Sequence, residues 1–179
     1  MELMSASAVP AASLTLPTSR ARAASETDSP WLSDEQQRVW RQWLAASAFL
    51  PSAMAKQLHD DAGLSLQDFT VLVRLSEAEQ SRMRMAVLAT SVDWDRSRLS
   101  HHVARMEKRG LVQRESCEQD GRGAYVVLLP EGRQRLETAA PGHARLVRRL
   151  MFEPLDADSF RALDELTRGL LERLVGQAS

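Results

Sequence analysis

The stretch DWDRSRLSHHVARMEKRGLVQR, Asp93 to Arg114, restricts the fold more than any other part of the chain. It carries a helical period, but its apolar stripe is thin. With Leu99 placed at zero and about 100° per residue, Val103 falls at about 40° and Met106 at about 340°. Ser97, His101, Ala104 and Lys108 fall on the opposite side, flanked by Arg98 and Arg105 at about 240–260°. Asp95 stands where an N-cap is needed, and Gly110 where a helix end takes a positive φ at little cost. Such a helix has a narrow face for its own protein and a broad polar face for something else.

The neighbouring elements frame it. Ser33 and Gln36 form a capping box for a long helix carrying Val39, Trp40, Trp43, Leu44, Leu50, Met54 and Leu58. Pro51 is expected to kink this helix, and Gly63 to end it. Ser65, with Asp68 in the box position, caps a second helix whose buried face holds Phe69, Leu72, Val73 and Leu75. The polar link EAEQSRMR, ending in a short strand, precedes a short helix from Met85 to Val92. After Gly110, LVQRE and AYVVLL read as two strands joined by the hairpin tip CEQDGRG. Pro130 opens a helix reaching about Phe152, bent at Pro141-Gly142. A last helix bears Phe160, Leu163, Leu166, Leu170, Leu171 and Leu174. The terminal helices hold more apolar surface than one lobe needs, and two-fold self-association is the commonest way to bury it.

Charge decides what the broad face meets. The chain is nearly neutral overall, at −1, which by itself argues against a polyanion partner. The charge is uneven, however. Arg96 to Arg114 holds six cations and one acid, Glu107, while Glu153 to Glu172 holds six acids and two cations. Screening limits a charge's reach to about 8–10 Å, so local concentration matters more than the total. A helix fits the major groove, where Ser, His and Arg reach base edges and marginal cations meet phosphates. The helix–turn–helix frame and a hairpin carrying Asp120 and Arg122 favour duplex DNA over a merely solvated face.

These residues also carry a family resemblance. From Leu88 to Arg133 the pattern LATSVDWDRSRLSHHVARMEKRGLVQRE, then DGRG, then LLPEGR, resembles the MarR (multiple antibiotic resistance regulator) family of transcription factors. Its capped, Ser-rich start appears as Asp95 and Ser97. Its Glu-x-Arg-Gly-Leu appears as Glu107, Lys108, Arg109, Gly110 and Leu111. Its wing motif appears as Asp120, Gly121 and Arg122. Asp93 replaces a frequent glycine, Met106 a leucine and Leu129 a helix-capping threonine, and the N-terminal leader is longer than the family core requires. The resemblance implies a homodimer whose first and last helices interlock. It implies two lobes reading a pseudo-palindromic operator, and a small aromatic or phenolic ligand that weakens DNA binding.

The expected fold is mainly α with a small β-hairpin wing: a winged helix–turn–helix lobe plus a helical dimerisation region. The expected domains are a disordered leader (1–30), an N-terminal dimerisation helix (31–64), the lobe (65–130) and C-terminal dimerisation helices (131–179). DNA contacts are expected from Arg96, Ser97, Arg98, Ser100, His101, Arg105, Lys108 and Arg122, with Asp120 in the wing. Ligand-binding candidates are Trp40, Trp43, Phe49, Met54 and Phe69, although aromatic residues at helical spacing more often form core or interface. No catalytic residue, cofactor or metal site is expected. The four histidines lack ligand spacing, and His101 and His102 project about 100° apart as solvated or DNA-facing side chains. The sequence lacks phosphate-loop, nucleophile-elbow and HExxH motifs, so an enzyme is not expected.

Two alternatives are a helical interaction module without DNA binding and a thiol-based redox regulator. The first would not need cations along Asp95–Arg109. The second would need an exposed, low-pKa thiol, whereas the single cysteine, Cys117, lies at the wing base rather than in the first helix. One cysteine, no signal-peptide pattern and no apolar run near the ~20 residues of a membrane span make the cytoplasm the expected location.

Overall fold

The computed structural model describes residues 29–116 and 124–177. Cys117, Asp120 and Arg122 lie outside the described residues. Contacts divide the chain into two compact units, one ending at Trp43 and the other running from Leu44 to Ser179.

Helix α1 (Asp34–Ala62) contains Pro51 without a break. Its start is the expected capping box: Gln36 N–H donates to Ser33 Oγ at 3.2 Å, and Ser33 N–H to Gln36 Oε1 at 2.9 Å. Gly63, at φ +61°, ends it. Helix α2 (Leu66–Glu77) begins at the Ser65/Asp68 box, with both reciprocal bonds at 3.0 Å. A 3₁₀ turn (Glu79–Ser81) leads into strand β1 (Arg82–Arg84), then α3 (Met85–Ser91) and α4 (Arg96–Lys108). Strands β2 (Val112–Ser116) and β3 (Ala124–Leu128) follow, and the antiparallel sheet has the order β1-β3-β2. Register pairs Met83 with Val126 and Arg114 with Val126 across the two ladders.

Helix α5 (Pro130–Val147) starts without a side-chain cap at Leu129, as the loss of threonine there implies, and Pro130 sits in its first turn. It ends in a π-helical turn, Arg148–Phe152, rather than running on as α-helix. Helix α6 (Ala157–Gln177) completes the chain. The core gathers α2, α3, α4, the sheet and α5 around Leu58, Leu64, Leu72, Leu75, Leu88, Leu99, Met106 and Val126, each fully buried. By contrast Phe160, Leu166, Leu171 and Leu174 of α6 stay exposed, as do Val39, Trp40 and Trp43 of α1. Among the described residues, no helix is long and apolar enough to cross a membrane.

Candidate nucleic-acid interface

The turn between α3 and α4 needs one left-handed residue, and Asp93 supplies it at φ +54°. Aspartate tolerates that region better than most residues. Trp94 N–H returns to the Ala89 carbonyl at 3.0 Å, closing the turn. Asp95 Oδ1 then accepts from Arg98 N–H at 2.8 Å and caps α4. Leu99, Val103 and Met106 are fully buried, as the projection requires. Away from them Ser97, Arg98, His101, Arg105 and Lys108 are exposed, as is Arg96 in the first turn, and Ser100 is half-buried. Gly110, at φ +69°, turns the chain into β2. Arg122 and Asp120 lie outside the described residues.

Three side chains depart from the sequence reading. His102 is neither solvated nor outward: it is buried, with Nε2 3.0 Å from Asp68 Oδ1. Its position at about 300° on the wheel places it beside Met106, at the edge of the buried stripe. Arg109 does not stand among free surface cations either. Its guanidinium forks between Asp68 Oδ2 and the Gly63 carbonyl, each at 2.7 Å. Arg114 likewise meets Glu107, through Nε at 3.0 Å and its own N–H at 3.0 Å. The +5 cluster is therefore partly a structural network, and the surplus sits on Arg96, Arg98, Arg105 and Lys108.

Asp68 is the centre of that network. Burial opposes its ionisation, yet the net shift is well below the usual carboxylate range. His102, the Ser65 backbone N–H, Arg109 and the Ser65 hydroxyl all favour the charged form. The sequence shows Asp68 as a helix cap only. Its partners stand 34 and 41 residues away, and the available signal is its spacing to Leu72 and Leu75, which puts it on the buried face.

On one side of this network lies an open cavity of about 750 Å³, walled by Arg98, Arg105, Arg109, His59, His102 and Trp94. Arg98 stacks over the Trp94 ring at 4.5 Å, and Trp94 meets His102 edge-on at 5.3 Å. A second cavity of about 270 Å³ is lined by Met54, Leu66, Phe69, Thr70, Val73, Arg74 and His143. It brings together two ligand candidates, Met54 and Phe69. Phe49 instead is 75% exposed, while Trp40 and Trp43 are about half-exposed on the first part of α1. His143 packs on Phe69 at 4.7 Å, and burial pushes its pKa below the usual 6.5.

The chain and its fold are similar to those of known proteins. Residues 62–123 match the family model described as MarR family. Sco3205, a MarR family transcriptional regulator from Streptomyces coelicolor solved in complex with DNA, is 40% identical. The match covers 82% of this chain and 92% of that one, with a TM-score of 0.77. The chain belongs to the MarR family. AbsC, a MarR family transcriptional regulator also from Streptomyces coelicolor, is 39% identical over 83% of this chain and 99% of that one, at the same TM-score. A probable transcriptional regulator from Pseudomonas aeruginosa is 31% identical over 79% and 97%, with a TM-score of 0.56. No curated protein sequence matches the chain. This MarR-family protein is thus a DNA-binding transcriptional regulator with a winged helix–turn–helix, from a family of transcription factors rather than enzymes.

Proposed function

We propose that the regulator is a ligand-responsive repressor that binds a pseudo-palindromic operator as a homodimer in the cytoplasm. The observation that carries this reading is the two-sided α4. Leu99, Val103 and Met106 dock it, and a polar, cationic face is left outward. In this reading Ser97, Arg98, Ser100, His101 and Arg105 approach base edges, and Arg96 and Lys108 hold phosphates. Arg122 of the wing meets the minor groove or its backbone. Residues 65–130 form the reading lobe. Residues 31–64 and 131–179 supply the dimer contacts, supported by the apolar side chains left exposed on α1 and α6. An interaction module without DNA binding would have no use for the cationic face.

Footprinting with the purified protein tests it. Two protected half-sites centred about one helical turn apart, with two chains per duplex, are expected. A single half-site bound by one chain would remove the dimer. Arg105→Ala should cost about 1–3 kcal/mol on the operator and relax preference at one base pair. Equal weakening on every sequence would reassign Arg105 to phosphate.

The cavity between α1, α2 and α5 supports the ligand part of the reading. Met54 and Phe69 supply apolar walls. His143 Nδ1 is buried with no hydrogen-bond partner among the described residues. Kept neutral by burial, the ring suits a phenolic hydroxyl. A single-ring hydroxybenzoate should raise the melting temperature of the native chain. Met54→Trp, which fills the cavity, should abolish the rise, and an equal rise in both proteins would place the ligand elsewhere.

A further inference from the structure

Arg105 is tied to another side chain of its own helix. Its Nη2 lies 3.0 Å from His102 Nδ1. A guanidinium has donors only, so Nδ1 must accept and the ring proton must sit on Nε2. Nε2 stands 3.0 Å from the Asp68 carboxylate, though its N–H points off the line to the oxygen. Asp68 in turn is fixed by the Ser65 backbone N–H at 3.0 Å and by Arg109 at 2.7 Å. Trp94 braces the His102 ring edge-on, and the ring is only 8% exposed. Three elements thus set one imidazole: α2 through Asp68, the α3–α4 turn through Trp94, and α4 itself.

We infer that His102 is a positioning residue for operator reading. It holds the Arg105 guanidinium at the rim of the outward α4 face, and Asp68 selects the tautomer that makes this possible. This rests on the reading above in which Arg105 contacts a base. An exposed arginine surrenders rotamer freedom when it grips a base, and ordering it before DNA arrives lowers that cost. The tether uses one of the five N–H donors and leaves the others for a bidentate contact. It also explains why a buried histidine sits beside the arginine. An apolar residue in its place would pack as well but could accept nothing. The other charged and titratable groups around the ring are Arg98 on α4, Arg109 at its C-cap and His59 on α1, which line the same cavity. None of them is altered in the variants below.

Two amide side chains separate the roles of the ring. Asparagine places its carbonyl oxygen near the Nδ1 position, so His102→Asn keeps an acceptor for Arg105. Glutamine reaches the Nε2 position, so His102→Gln keeps the contact to Asp68 and gives up the acceptor. The measured quantity is the ratio of affinities for the operator and for a scrambled duplex at one fixed salt concentration. Arg105→Ala and His102→Gln are each expected to lower that ratio about tenfold. His102→Asn should stay near the unmodified protein. The double variant His102→Gln/Arg105→Ala should be no worse than Arg105→Ala alone, because the two residues act as one unit. An unchanged ratio in His102→Gln beside a lowered one in Arg105→Ala overturns the inference. So do equal losses in His102→Asn and His102→Gln, which would reduce the ring to packing. If Arg105→Ala itself leaves the ratio unchanged, the base-contact reading fails first.

Discussion

Leu99→Ala is expected to destabilise the protein by about 3 kcal/mol and to abolish operator binding at temperatures where the native chain still binds. Leu99 has no exposed surface and is the centre of the three-residue stripe that docks α4. Removing its isobutyl group loses the transfer free energy and leaves a cavity that Val103 and Met106, already packed, fill poorly. The polar composition of α4 makes the loss severe. Among its 13 residues the helix buries three apolar side chains, Leu99, Val103 and Met106, so few other apolar groups can take over. Urea unfolding followed by circular dichroism measures the first effect, and titration of operator DNA the second. A loss below about 1 kcal/mol, within the range of a surface substitution, would mean that α4 is held by its hydrogen bonds and not by its stripe.

Asp68→Ala is expected to cost about 3 kcal/mol at neutral pH, the range for removing one partner of a buried ion pair. The side chain is 3% exposed, whereas Arg109 is 39% exposed, so water compensates part of the loss on the arginine side. The substitution also removes the reciprocal half of the α2 capping box, the Asp68 acceptor of the Ser65 backbone N–H. The pH dependence has a definite sign. Asp68 titrates lower in the folded chain than its ordinary 3.8, so the unfolded chain binds its proton first as the pH falls. Its stabilisation is complete above the ordinary value and is lost progressively below it. The stability gap between the native chain and Asp68→Ala should therefore be constant from pH 7 to about pH 5 and narrow below pH 4. Urea midpoints taken across this range test it. A gap that widens on acidification would show that Asp68 is not held as a carboxylate.

Much of this structure is readable locally. Caps depend on residues three apart, and Ser33/Gln36, Ser65/Asp68 and Asp95 all appear where spacing puts them. Positive φ depends on a single residue, and Gly63, Gly110 and Asp93 follow suit. The docking stripe of α4 depends on period alone. The network around Asp68 is different in kind, since it joins residues 34 and 41 positions apart whose attraction leaves no periodic trace. A cation count along Arg96–Arg114 cannot separate Arg109, which is spent inside the lobe, from Arg96, which is not. His102 stood one step from the stripe on the wheel, and only its carboxylate partner decides that it turns inward. The end of α5 was also illegible, because a π-helical turn at Arg148–Phe152 shifts the period without any residue that announces it.

The fork of Arg109 bears on which cations of this helix can be exchanged. The chain uses arginine almost everywhere, with lysine only at positions 56 and 108, so its basic residues look like a uniform habit of coding. At Arg96 or Lys108 any long cation serves a phosphate. At Arg109 the planar head answers two acceptors at once, a carboxylate on α2 and the carbonyl of the glycine that closes α1. A lysine ammonium, a point charge on a flexible stem, meets one of them well and leaves the other unanswered. Among regulators of this architecture, drift between the two basic residues should be free at the phosphate-facing positions 96 and 108 and arrested at position 109, just past the helix end.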